Sequence, residues 1–279
     1  MRPGLRTWRT IGSRLLDLLT YFVVFLFLCP LLWLVSTALK TRTDAFAMPP
    51  LWIFAPTLDN FAEVLHNENF LAQYGHSVVV ASATTVLALA TGLPAAYALT
   101  RFRLPYKRAI GFWILTTRLL PAIGVLFPLY VIFNQLGLLD TYPGLVILYL
   151  SFSLGFVIWM MRGYLMQIPV ELEEAAFCDG ATRLTTLLRI VIPLAAPGMA
   201  AVAVLTFIGS WNEFLFALIF TRDAVKTAPV AIVSFMSFEG INWGPLAAAG
   251  LLVLAPVFLL SIFVLKYLVA GLAMGAVKE

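Results

Sequence analysis

The sequence predicts an all-α membrane protein with six transmembrane helices and both termini in the cytoplasm. Three observations predict it. Of 279 residues, 62% are hydrophobic and 11% are charged, whereas a soluble domain carries about 25% charged residues. Six charge-poor apolar runs each approach the roughly 20 residues that span a bilayer. The basic residues gather on alternate loops.

The first run is Leu18–Leu39, with Pro30 inside it, after a short cytoplasmic segment, 1–17. Its end, Ser36-Thr37-Ala38, has the small residues of a leader cleavage site, but the run exceeds the roughly 7–15 apolar residues of a signal core. It is read as an anchored helix. The second run is Ser77–Thr100 and holds Pro94. The third, Ala109–Phe133, is interrupted by Arg118, Pro121 and Pro128. The fourth is Gly144–Met161. The fifth, Gly198–Phe220, carries Asn212 and Glu213, and the sixth is Trp243–Leu265. Prolines are tolerable in such helices because neighbours satisfy the freed carbonyls. The membrane domain is expected over 18–269, with spans near 18–39, 77–100, 109–133, 144–161, 198–220 and 243–265, and a short tail over 270–279.

Six spans place both termini on one side. Arg2, Arg6, Arg9, Arg14, Arg101, Arg103, Lys107, Arg108, Arg162, Arg183, Arg189, Lys266 and Lys278 fall there, 13 of the 18 basic residues. The excess of Lys and Arg marks that side as cytoplasmic. The same bias explains the pI of about 9.2 without nucleic acid as a partner. Cys29 and Cys178 are far apart and form no disulfide framework or metal cluster. His66 and His76 lack ligand spacing, so no metal site is expected.

The outward loop from Lys40 to His76 contains a helix-like stretch, Asn60–Tyr74. Asn60 is placed to cap it, and Glu63 three residues on completes a capping box. This surface suits either the membrane plane or an external partner.

The cytoplasmic loop 167–197 holds the sequence PVELEEAAFCDGATRLTTLLRIVIPLAAPG over 169–198. Pro169 suits a first helical turn, and Glu171, Glu173 and Glu174 complement its dipole. Gly180 can take a left-handed stop. Thr182 can cap a second short helix with Leu184, Leu187, Leu188 and Ile190 on one stripe. Pro193 and Pro197 are expected to end that helix and turn the chain toward span five. Two helices this small cannot bury their own apolar faces; they need the bundle or a partner protein.

Glu174-Ala175-Ala176, then Gly180, then Ile190, Ile192 and Pro193 resemble the "EAA" loop of importer-type ABC permeases, with Ile192 where the family usually has Leu. Trp211-Asn212-Glu213-Phe214-Leu215, the segment Leu136–Thr141 and the end of the chain from Ala270 to Lys278 are similar to the carbohydrate branch related to the maltose importer. The resemblance covers about residues 30–278; His76-Ser77 departs from the Asn-Ser frequent in relatives. It implies the type I ABC importer transmembrane fold in a bacterial inner membrane. Ala175, Ala176, Gly180, Ile190 and Pro193 would shape coupling helices, and Glu174 and Asp179 would face the cytoplasmic ATPase. It further implies a second permease subunit, two ATPase subunits that bind ATP and Mg, and an extracytoplasmic sugar-binding protein. ATP-driven closure would pull the coupling helices together and rock the bundle between two states.

The chain lacks a phosphate-cradling GxxxxGK[ST] loop, so it is not expected to hydrolyse ATP or to hold a cofactor, and it shows no catalytic residues. Intramembrane polar groups are candidates for the substrate path because burying charge in lipid is costly. These are Arg118 and Glu213, which could instead pair with each other, together with Asn212, Trp211 and Tyr130, since sugars favour aromatic stacking and planar polar partners. Two alternatives remain: an ABC permease for a non-sugar solute, and a secondary transporter, which calls for repeats or several deep acidic residues.

Overall fold

The computed structural model describes the backbone of residues 4–237 and 240–275. Residues 276–279 of the expected tail, and the side chains from 264 onward, lie outside the described residues. The chain divides into two compact units, Met1–Asn67 with Ser234–Leu252 and Glu68–Val233 with Val253–Glu279.

The first unit opens with α1 (Gly4–Ala38), whose apolar side chains are exposed from Leu16 to Trp33 and become covered toward Ala38. Thr41 caps the single turn of α2 (Arg42–Ala45), its hydroxyl accepting from the Asp44 N–H at 3.2 Å. The expected helix from Asn60 to Tyr74 is instead two helices, because Asn67 is extended. The first of them is α3 (Asp59–His66). Asn60 caps nothing: Leu58 holds the cap position without a side-chain bond. The buried Asn60 amide donates instead to the Ala38 and Lys40 carbonyls, both at 2.8 Å. Those carbonyls lie at the end of α1 and two residues beyond it, where no helical N–H follows to bond them, so they take the amide.

The second unit begins with α4 (Glu68–Arg101). At the 1.5 Å rise of an α-helix its 34 residues are long enough to cross a bilayer and project beyond it. Its small residues Ala88, Gly92 and Ala96 allow close approach to α7 (Tyr142–Leu165). A Cβ on Gly92 would come within 2.7 Å of Val157 Cγ1. In lipid, such packing of small residues is what draws helices together.

Between them, the expected span 109–133 is two helices, α5 (Lys107–Leu119) and α6 (Ala122–Gln135), bent by 93°. Pro121 lacks an N–H and drives Leu120 extended, which breaks the ladder. Thr141 caps α7, accepting from the Gly144 N–H at 3.1 Å.

The loop helices α8 (Glu171–Cys178) and α9 (Arg183–Thr186) follow. After a π turn, Leu187–Val191, comes α10 (Ile192–Trp211). Pro193 and Pro197 do not stop this helix, contrary to expectation. Ile192 N–H reaches back five residues to the Leu187 carbonyl, and the widened turn leaves room for the proline ring. The fifth span therefore begins before Gly198 and ends at Trp211. A break at Asn212–Phe214 precedes α11 (Leu215–Phe220).

Next come α12 (Ala228–Ala231) and a two-residue strand pair, with Met236 opposite Ile241. Last is α13 (Trp243–Gly275). Among the described residues five helices are long and apolar enough to cross a membrane, and the bent pair makes six.

Candidate functional site

Two regions concentrate polar chemistry. The first is the loop that joins α7 to α10. The three glutamates of α8 share its first turn but not its environment. Glu173 is buried; it accepts from Arg101 Nε at 2.6 Å and from the Tyr97 hydroxyl at 2.7 Å. Arg101 Nη2 also donates to the Ile168 carbonyl at 2.7 Å. The N-terminus of α8 is thus stitched to the end of α4. Glu174 and Ala175 face outward, and Ala176 is buried.

The helix ends as its glycine dictates. Gly180 sits at φ +84°. Its N–H reaches the Phe177 carbonyl at 3.1 Å, and the Ala181 N–H reaches Ala176 at 2.9 Å, the two bonds of a Schellman stop. Asp179 is exposed at the C-cap. Thr182 then caps α9, accepting from the Thr185 N–H at 3.2 Å. The Arg183 guanidinium lies over the rings of Phe102 and Phe177, at 4.9 and 5.4 Å. Ile190 is half-buried in the π turn and Pro193 is exposed in the first turn of α10. Leu172, Leu184 and Leu188 remain exposed on the same loop. Glu174 and Asp179 thus share the loop with exposed leucines.

The second region is a cavity of about 360 Å³ between α5, α7, α10 and the break after α10. Arg118 and Glu213 both line it, but they form no ion pair. Arg118 lies with its guanidinium 4.7 Å from the Phe156 ring centre. Glu213 caps α11, accepting from the Phe216 and Ala217 N–H groups at 3.0 and 3.1 Å. Tyr149, Phe152, Ser153, Phe156, Thr206, Ser210 and Phe216 complete the polar and aromatic lining. The buried Ser210 hydroxyl has no partner among the described residues, and the buried Tyr149 hydroxyl faces Glu213 without hydrogen-bond geometry. Unpaired buried hydroxyls are costly, and a polar solute in the cavity can satisfy them.

The other three candidate path residues lie elsewhere. Trp211 is a core residue: its Nε1 donates to the Val253 carbonyl at 3.0 Å, and it packs on Phe207 and Tyr74. Tyr130 packs edge-on against Phe220. Asn212 is exposed at the end of α10. Sequence reasoning missed Tyr149, Phe152, Ser153 and Phe156, although their i, i+3, i+4, i+7 spacing marks one helix face. It also missed Thr206 and Ser210, one turn apart. Among the described residues no group of His, Cys, Asp and Glu is arranged to hold a metal ion.

The model of a family described as "binding-protein-dependent transport system inner membrane component" matches residues 88–273. A probable ABC transporter permease protein of Sinorhizobium fredii is 38% identical over 274 residues, covering 98% of each chain. The trehalose/maltose transport system permease protein MalG of Thermococcus litoralis is 33% identical over 272 residues, covering 96% of this chain and 95% of its own. Among solved structures, a bacterial ABC transporter involved in the import of the acidic polysaccharide alginate has a chain with a TM-score of 0.78 at 25% identity. That match covers 96% of this chain and 98% of the other.

Proposed function

This chain belongs to the binding-protein-dependent inner membrane components of ABC transporters, and from that premise we propose that it forms half of the transmembrane path of a carbohydrate importer. The carbohydrate reading rests on its 33% identity, over 96% of this chain and 95% of the other, to a trehalose/maltose permease. The cavity supports it. Phe152 and Phe156 offer apolar faces to a sugar ring, while Tyr149, Ser210, Glu213 and Arg118 supply donors and acceptors for hydroxyls. Its volume falls in the range of small-ligand pockets.

The membrane domain takes in 18–269, with both termini and the loop 167–197 in the cytoplasm and 270–279 as a tail. Glu174, Ala175, Asp179 and the exposed leucines of that loop dock on cytoplasmic ATPase subunits. Ala176, Gly180, Ile190 and Pro193 hold its shape. ATP and Mg bind to those partners, which supply the hydrolysis. A second permease subunit and an extracytoplasmic sugar-binding protein complete the complex.

The test is uptake. Cells lacking this gene, with and without the gene restored, are assayed for entry of labelled trehalose, maltose, monosaccharides and polyols, beside an amino acid and phosphate. Restoration of one carbohydrate alone is the expected result. Restoration of amino acid or phosphate uptake instead overturns the sugar assignment but keeps the importer.

A further inference from the structure

In the first unit a cavity of about 530 Å³ opens beside the end of α1 and the start of α13. Its wall is apolar, built from Trp33, Leu34, the segment Phe46–Pro50, Trp243 and Leu246. One cation lies within it. Lys40 is 3% exposed, and its Nζ sits between two rings, 5.0 Å from the centre of Trp33 and 5.1 Å from that of Phe54. Among the described residues no carboxylate lies within ion-pair distance of Lys40. The nearby Asp44, which also lines the cavity, is engaged by the Thr41 hydroxyl at 2.7 Å. A buried ammonium without an anion is costly, and aromatic faces compensate it only in part.

The location decides which anion. The apolar stretch of α1 ends at Ala38, two residues before Lys40, and the span of α13 starts at Trp243. Both helices thus meet the membrane boundary at this cavity. Trp33, Trp52 and Trp243 cluster here, and tryptophan concentrates at the headgroup level of a bilayer. Trp52 packs edge-on against Trp33 at 5.5 Å while remaining 77% exposed. Beside it Met48 and Ile53 are almost fully exposed. An apolar pocket with one cation at the depth of lipid phosphates matches an amphiphile with an anionic head.

We propose that this cavity binds an anionic phospholipid of the surrounding leaflet. The phosphate sits against Lys40, and the upper acyl chain lies along Trp33, Leu34 and Leu246. The site anchors the loop that follows α1 to the membrane surface. This proposal does not depend on the substrate assignment.

The experiment purifies the complex containing this chain into bilayer discs of mixed phosphatidylglycerol and phosphatidylcholine, then reads the retained lipid by native mass spectrometry. Phosphatidylglycerol should be retained over phosphatidylcholine by about fivefold, the ratio that one lysine–headgroup attraction supports. Lys40→Gln removes the preference and Lys40→Arg keeps it. Asp44→Asn, which deletes the competing negative charge without touching the lysine, raises it, so the idea stays testable even if Lys40→Gln fails to assemble. Excess inorganic phosphate leaves the lipid in place. Equal retention of both lipids by the wild type overturns the proposal. So does cross-linking of a cysteine at Met48 to a partner subunit together with an unchanged lipid ratio in Asp44→Asn, because a protein segment then fills the cavity.

Discussion

Arg101 and Glu173, 72 positions apart in the chain, form an ion pair of 2.6 Å whose side chains are 10% and 3% exposed. The pair joins the last residue of α4 to the first turn of α8. Because the Tyr97 hydroxyl and the Ile168 carbonyl close the same network, α8 cannot tilt without breaking several charge-assisted bonds. A push on α8 therefore reaches α4 directly.

Glu173→Ala leaves a buried guanidinium without its anion and a phenol without its acceptor. Breaking a buried pair in this way costs about 3–5 kcal/mol. Hydrogen exchange across Glu171–Cys178 should rise sharply, and transport should fall more than ATPase activity, because the loop no longer moves with α4. The double variant Glu173→Arg with Arg101→Glu should recover part of both. Unchanged exchange in the single variant would contradict the role given to this pair.

Gly180 predicts a second outcome. Its φ of +84° lies where a Cβ costs roughly 1–2 kcal/mol, and where proline, fixed near −65°, cannot follow. Gly180→Ala should lower the loop's stability modestly and keep transport. Gly180→Pro should leave the chain in the membrane but abolish transport and its coupling to ATP hydrolysis. Normal uptake by the proline variant would sink the coupling assignment.

Asp140 predicts a pH dependence. This half-buried residue, at φ +57°, accepts from four successive backbone N–H groups, Arg222 to Val225, at 2.9 to 3.2 Å. Burial disfavours its charge, yet the four bonds prevail and hold the carboxyl below its ordinary 3.8. A depressed carboxyl stabilises the fold fully above its unfolded pKa, and the contribution is lost as pH falls through the folded value. The clip between Asp140 and the 222–225 turn should thus persist from neutral pH down to about 3.8 and fail only below it. Thermal unfolding of the complex in detergent checks this. Asp140→Ala should lower Tm at neutral pH and flatten the acid limb of the wild-type curve.

Much of this was legible in the sequence because composition and helical punctuation act locally. The Gly180 stop and the Thr182 cap follow from residue type, and both formed as read. Asn60 misled because a capping amide can serve any carbonyl within reach, and the two left over after α1 lie about 20 residues upstream. Glu173 looked like one of three dipole-complementing carboxylates. Only the fold, by bringing Arg101 beneath it, separates it from the exposed Glu174. The cavity was half visible. Arg118 and Glu213 stood out as charges in apolar runs, whereas Tyr149 and Ser210 are ordinary in type and become informative only when found buried at the cavity, the Ser210 hydroxyl without a partner among the described residues. Trp211 misled for the opposite reason: an aromatic beside Asn212 suggests a sugar platform, but its indole N–H is taken by Val253.

The last prediction separates charge from scaffold at Glu213. Its carboxylate does two things: it caps α11 through Phe216 and Ala217, and it presents charge to the cavity. Glu213→Gln keeps one of the two acceptor oxygens for the cap and removes the charge. Glu213→Ala removes both, and loss of a cap costs about 1 kcal/mol. If the cavity carries the sugar, the glutamine variant should assemble with near-normal Tm while the KM for uptake rises several-fold. A hydrogen bond from a sugar hydroxyl to a charged group is worth about 1.5–3 kcal/mol. Arg118→Ala should act in the same direction, because its guanidinium lies over Phe156 and has no ion pair among the described residues to lose. Ser210→Ala removes an unpaired hydroxyl, so it should leave stability unchanged or raised while weakening uptake. A glutamine variant with wild-type KM, alongside an alanine variant with lowered Tm, would assign Glu213 to the scaffold and move the sugar path elsewhere.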